Sequence, residues 1–141
     1  MSSIFRALLL IVLLSYSYII NAADLTDPSG RWQTPRSILK IYHSNGELRA
    51  IVVKILNDNS PTLPLCKKCP GKFQNKPIIG MTVIWGLKRV NNHDWNGGQA
   101  IDPESGQIYN VKLELSNDGK KITFHASKSL FGHTIEWERI K

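Results

Sequence analysis

The sequence predicts an all-β fold of about eight antiparallel strands. Three observations carry that expectation. Segments of four to ten residues alternate apolar and polar side chains with a period of two. Asn, Asp, Gly and Pro cluster between these segments, where tight turns need them. No stretch repeats its apolar residues with the period of a helix. Two packed sheets or one closed barrel are the economical ways to bury such faces.

The chain opens with Arg6 and an apolar run from Ala7 to Leu14 that continues loosely to Ile20, then the small residues Ala22 and Ala23. One positive charge, a short apolar stretch and a small-residue exit are the pattern of a secretory signal peptide. Residues 1–23 are therefore expected to be removed on export, leaving a single β domain over 24–141. Tyr16, Ser17 and Tyr18 break the apolar run, which falls at the short end of the ~20 residues a membrane-spanning helix needs. A periplasmic or secreted location follows, with no transmembrane segment once the signal is gone.

The first strand is expected over Arg31–Thr34. Ser37–His43 and Glu47–Leu56 follow, joined by Ser44-Asn45-Gly46 as a hairpin turn. Ile78–Leu87 puts Met81, Val83, Trp85 and Leu87 on one side. Gly98–Ile101 is short and leads into the turn Asp102-Pro103-Glu104-Ser105-Gly106. Gln107–Leu115 carries the clearest alternation, with Tyr109, Val111, Leu113 and Leu115 opposed to Asn110, Lys112 and Glu114. Ser116-Asn117-Asp118-Gly119 turns it into Lys121–Ala126, whose apolar face is Ile122, Phe124 and Ala126. His133–Ile140 closes the set and aligns His133, Ile135, Trp137 and Arg139 on one face.

One connection breaks the pattern. Asn57–Pro77 holds four prolines and both cysteines and does not alternate. Loops of that length are uncommon in compact domains and are often functional or stapled. In an oxidising compartment Cys66 and Cys69 are read first as one structural disulfide. A redox pair would want a thiolate at a helix N-terminus, and Pro70-Gly71 follows instead. A zinc site would need two of His43, His93, His125 and His133, none of which is spaced with another as a ligand pair. No metal ligand and no cofactor is assigned.

Enzyme motifs are missing from the sequence: there is no Gly-x-Ser-x-Gly, no phosphate-cradling loop and no carboxylate pair at readable spacing. Triads assembled by the fold escape such a search, so the sequence favours a binding protein over an enzyme without deciding it. Asp102 reads as a turn residue, and His93-Asp94-Trp95-Asn96-Gly97-Gly98 either as a loop that lines a cavity mouth or as an ordinary turn with a packed Trp. The chain carries 18 basic and 11 acidic residues; only Arg6 of these falls in the leader, which leaves +6. That balance suits anionic envelope surfaces. The basic residues are spread along the chain rather than clustered, which argues against nucleic acid.

Taken together, several motifs resemble a family of small exported bacterial proteins, domain of unknown function 2147. They are Gly30-Arg31-Trp32, the Ile38–Tyr42 strand, the Asn45-Gly46 turn, Cys66-Lys67-Lys68-Cys69-Pro70-Gly71, Lys76-Pro77-Ile78-Ile79-Gly80-Met81, Trp95-Asn96-Gly97-Gly98, Asp102-Pro103-Glu104-Ser105-Gly106, Tyr109, Ser129-Leu130-Phe131-Gly132, Trp137 and Arg139. The resemblance implies a lipocalin-like or calycin-like up-and-down barrel and no particular reaction. It also implies that Arg139, from the last strand, packs over Trp32 as the structural signature of such barrels. Barrels of this size hold one small ligand or fill themselves with side chains. The expected interior, and the candidate ligand contacts, are Tyr42, Met81, Trp85, Trp95, Tyr109, Phe124 and Trp137, with Val83, Val111 and Leu113 beside them. The leading expectation is a non-enzymatic module for a small apolar, amphipathic or lipid-like ligand. The alternative is an envelope interaction or stress-adaptor protein that acts through its basic surface and its cysteine loop.

Overall fold

The computed structural model describes residues 24–141; the expected signal peptide, 1–23, lies outside them. Eight antiparallel strands follow one another around a closed barrel in chain order: β1 Gly30–Gln33, β2 Ser37–Ser44, β3 Glu47–Ile55, β4 Thr82–Arg89, β5 Asp94–Ile101, β6 Ile108–Leu115, β7 Lys121–Lys128 and β8 Phe131–Ile140. Each strand pairs with its neighbour, and β1 closes the barrel on β8. The one helical element among the described residues is a 3₁₀ turn at Gly71–Phe73. No helix among them is long and apolar enough to cross a membrane.

Alternation dictates the inner face. Leu39 and Ile41 of β2, Leu48, Ala50 and Val52 of β3, Val111, Leu113 and Leu115 of β6, and Ile122 and Phe124 of β7 are all buried. β6 and β7 pair without a shift from Asn110↔Ser127 to Leu115↔Ile122. Their faces are therefore the ones the sequence displays. Closure rests on Trp32, fully buried, which pairs in register with Arg139 and whose indole N–H donates to the Pro28 carbonyl at 2.8 Å.

Two strands depart from the expected pattern. Register shifts interrupt β3 against β4 and β5 against β6, and Gly86 takes a φ of +76° that a β-carbon would strain. The extra residue turns Trp85 outward while Ile84 and Leu87 point in. The expected run of Met81, Val83, Trp85 and Leu87 on one side does not hold. The strand also starts at Thr82, so residues 78–81 belong to the connection. β5 begins at Asp94 rather than Gly98, which makes the His93–Gly98 segment mostly strand instead of a loop at a cavity mouth.

β1 is short. It pairs with β8 from Gln33↔Glu138 to Arg31↔Ile140, so among the described residues the upper part of β8, Phe131–Trp137, has β7 as its only strand partner. In an up-and-down barrel alternate connections share an end. The β1–β2 turn, the long β3–β4 connection, the β5–β6 turn and the β7–β8 hairpin tip thus gather at one end, and Arg139 and Trp32 mark the other.

Candidate functional site

The barrel is packed in its lower half and hollow in its upper half. Large side chains fill the end near Trp32: Leu48, Leu87, Trp95, Leu113 and Ile122 are each almost wholly buried. Towards the other end the inner positions become small or short, among them Val52, Val83, Ala100 and Ala126. A cavity of about 750 Å³ opens there. Its floor and walls are Leu39, Val52, Val83, Ile84, Ala100, Ile101, Phe124 and Trp137. Phe124 and Trp137 stack with centroids 4.4 Å apart and planes at 23°, which gives the cavity one rigid aromatic wall.

The polar groups stand at the rim. Thr34, Arg36, Ser37, Asn57, Asp58, Asp102, Glu104 and His133 surround the opening. Asp102 is held by its own turn: its carboxylate accepts from the Glu104 N–H at 3.0 Å and the Ser105 hydroxyl at 3.1 Å, and its carbonyl accepts from the Gly106 N–H at 2.7 Å. Arg36 spans the mouth to pair with Glu104 and, at 3.5 Å, with Asp102. The guanidinium is well exposed, so the pair contributes little to stability. His133 faces the ring edge of Tyr109, 6.4 Å between centroids.

The long connection forms one side of this mouth and is fastened in three places. Cys66 and Cys69 are joined as a disulfide, and Sγ of Cys66 lies 3.3 Å from the Pro103 carbonyl oxygen. The stapled turn fits against the β5–β6 turn so closely that a β-carbon on Gly106 would lie 1.9 Å from the Lys68 carbonyl oxygen. Farther on, Phe73 stacks on the outward face of Trp85 at 5.6 Å. Backbone bonds from Cys66 to Lys76 and from Ile78 to Pro64 fold the connection back on itself, bringing Pro64 and Ile78 to the cavity.

Three of the seven candidate ligand contacts line the cavity: Tyr109, Phe124 and Trp137. The other four lie elsewhere. Tyr42 follows the buried Ile41 and so faces outward. Trp85 is turned out by the bulge and covered by Phe73. Met81 is buried in the connection, where its carbonyl accepts from Val52, and does not reach the hollow. Trp95 is buried in the packed half, with the Arg89 guanidinium 4.7 Å from its ring centroid. The small liners Ala100 and Ala126 and the aliphatic ones Leu39, Val52, Ile84 and Ile101 were not among the candidates. The alternation of β3 and β7 carried the signal for Val52 and Ala126.

One further cluster escaped the sequence. On the outer face Glu114, His125 and Thr134 sit side by side on β6, β7 and β8. The His125 ring is 3.0 Å from the carboxylate and 3.0 Å from the hydroxyl. The order resembles a nucleophile, base and orienting acid, but the three stand on an exposed sheet surface outside the cavity and read as cross-strand pairs. With both thiols bonded to each other, no group of three or more His, Cys, Asp or Glu among the described residues could hold a metal ion.

Against known proteins, a family model described as "Uncharacterized protein conserved in bacteria (DUF2147)" matches residues 30–139. No curated protein matches. Among solved structures, protein HP1028 from Helicobacter pylori, described as belonging to the lipocalin family, superposes with a TM-score of 0.73. The match is 23% identical and covers 82% of this chain and 84% of that one, a likeness of fold.

Proposed function

The chain belongs to the DUF2147 family of proteins conserved in bacteria, and from that premise we propose that it is a non-enzymatic module that binds one small apolar or amphipathic molecule, in the periplasm or outside the cell. The hollow upper half of the barrel carries the reading. A volume of about 750 Å³ lies within the range of cavities that enclose a single small ligand. Hydrocarbon deep in the cavity and charge at its rim fit an amphiphile with its tail inward and its head between Arg36, Asp102 and His133. The deep walls can desolvate a ligand, but they hold no group that moves a proton. A filled barrel would have favoured the adaptor reading; the hollow favours the carrier.

The test is titration of the purified protein with an apolar fluorescent probe, followed by displacement with fatty acids and phospholipids. One saturable site, emptied by either lipid, is expected. A folded protein that leaves the probe in water would remove the proposal.

A further inference from the structure

We infer that the open end of the barrel docks on an anionic lipid bilayer, so that the cavity takes its ligand from, or gives it to, the membrane directly. The inference rests on the carrier reading above. It is built on different residues, however, all of them outside the cavity.

The apolar component is conspicuous. At the tip of the β7–β8 hairpin Leu130 is 96% exposed and Phe131 80% exposed. Leu63 and Leu65 on the long connection are also exposed. Both segments lie at the open end, and their neighbours Pro64, His133 and Ile135 line the cavity. Two groups of solvent-facing apolar side chains thus project beside the mouth of an apolar hollow. In water they are a liability; in the acyl–headgroup boundary they are anchors.

The charge has the matching sign. Lys67, Lys68, Lys72 and Lys76 stand on the same connection, whose only acid is Asp58, and Lys128 precedes the hairpin tip. No lysine forms a salt bridge among the described residues, whereas Arg36 is already occupied by Glu104 and Asp102. Lysines next to exposed leucine and phenylalanine suit a surface that is both anionic and penetrable, which a bilayer with acidic headgroups is and a protein partner usually is not. The disulfide, the Lys68–Gly106 contact and the Phe73–Trp85 stack tie the connection to the barrel, so its lysines and leucines are held beside the mouth.

Co-flotation with vesicles tests this, using phosphatidylcholine alone and phosphatidylcholine with phosphatidylglycerol. Binding only to the phosphatidylglycerol vesicles is expected, weakening with salt. Leu130→Ser with Phe131→Ser should lower affinity at least about tenfold. Lys67→Glu with Lys68→Glu should lower it more than about twentyfold, since each surface lysine contributes about fivefold. Both variants should bind the soluble fluorescent probe as the wild type does. Lys120→Glu with Lys121→Glu, at the packed end, should leave flotation unchanged. Failure to float, or equal losses from the two lysine pairs, would overturn the inference. So would a dimer that dissociates on Leu130→Ser with Phe131→Ser, because the hairpin and the free β8 edge would then belong to a second copy. Probe binding without flotation removes the docking surface alone, and flotation without probe binding removes the carrier alone.

Discussion

The guanidinium carbon of Arg139 lies 4.4 Å from the centroid of the Trp32 indole, and the same side chain donates to three backbone carbonyls. Nε donates to Gly119 at 2.7 Å, Nη1 to Ser29 at 2.6 Å and Nη2 to Asp27 at 2.8 Å. One residue of the last strand therefore joins the first strand, the segment before it and the β6–β7 turn. Burial lowers the pKa of this guanidinium, and the Asp27 carboxylate opposes the shift. Arginine is suited to the task because its planar fork can stack and donate in several directions at once.

Arg139→Ala should destabilise the barrel by about 2–4 kcal/mol, the sum of a stacked cation and hydrogen bonds from a charged donor. Arg139→Lys should recover only part of this, since an ammonium cannot reach all three carbonyls while lying flat on the indole. Arg49→Ala, which removes an outer-face pair with Glu47 at 2.7 Å, should cost less than about 1 kcal/mol. Urea unfolding of the three variants, followed by tryptophan fluorescence, gives the ranking. Equal effects of Arg139→Ala and Arg49→Ala would contradict the closure role.

Asp27 should make the same end sensitive to acid. Burial pushes its carboxyl up, but hydrogen bonds from Ser29 and His43 outweigh this and hold it below its ordinary 3.8. A carboxyl whose pKa is lower in the folded state stabilises the fold above its unfolded value. That stabilisation is lost as pH falls through the folded value. Asp24 and Asp118 are lowered too, so the wild type alone is ambiguous. The difference in unfolding midpoint between wild type and Asp27→Asn should be constant near neutrality and shrink below about pH 4. A difference that grows in acid would refute the sign.

Much of the fold was legible because side chains on a regular strand must alternate. β6 and β7 keep register over Asn110–Leu115, so Val111, Leu113, Ile122 and Phe124 could be placed without a structure. β4 was not placed that way, because Gly86 inside a strand pattern signals a bulge but does not by itself say that Trp85 turns over while Leu87 stays in. Trp95-Asn96-Gly97-Gly98 has the composition of a loop, and only pairing with β4 and β6 makes it a strand. The cavity was least legible. It arises where small residues from distant segments, Ala100 and Ala126 among them, meet at one level of the barrel, and that meeting depends on the registers of several strands. Tyr42, Trp85 and Trp95 have the aromatic character of ligand contacts but lie elsewhere, whereas a hollow is made by what is small.

Gly106, in the β5–β6 turn, should be the position on which the seating of the long connection depends most. Its φ is +72°, and the Lys68 carbonyl occupies the space a methyl would need. Backbone cannot yield as a side-chain tip does, so Gly106→Ala should lift the Cys66–Cys69 turn off the β5–β6 turn and cost more than about 2 kcal/mol. Gly132→Ala, where the nearest atom is 3.5 Å away, is the control and should be almost silent. In the native protein denaturation without reductant should reveal no reactive thiol. Under mild reductant the cysteines of Gly106→Ala should be alkylated faster than those of the wild type, because Cys66 and Cys69 are both buried by this packing. Equal alkylation rates would mean that the contact does not fasten the connection.

The hollow can be closed by a single substitution, and β7 supplies its own control. Ala126 lies on the inner face of that strand, paired with Val111 and His133 and two residues from the cavity wall at Phe124. Ala126→Phe adds a ring to the cavity. The site is only half-buried and open above, so the cost in stability should stay within about 1 kcal/mol. Probe affinity should nevertheless fall at least about tenfold, since the ring takes the volume in which a ligand would lose its water. Thr123→Phe adds the same side chain to the same strand with the opposite parity. It should leave probe binding unchanged, because alternation sends residue 123 to the outer face. Fluorescence titration of both variants separates the cases. If Ala126→Phe folds and binds the probe as tightly as Thr123→Phe, the probe sits on the outside of the barrel and the cavity is not its site.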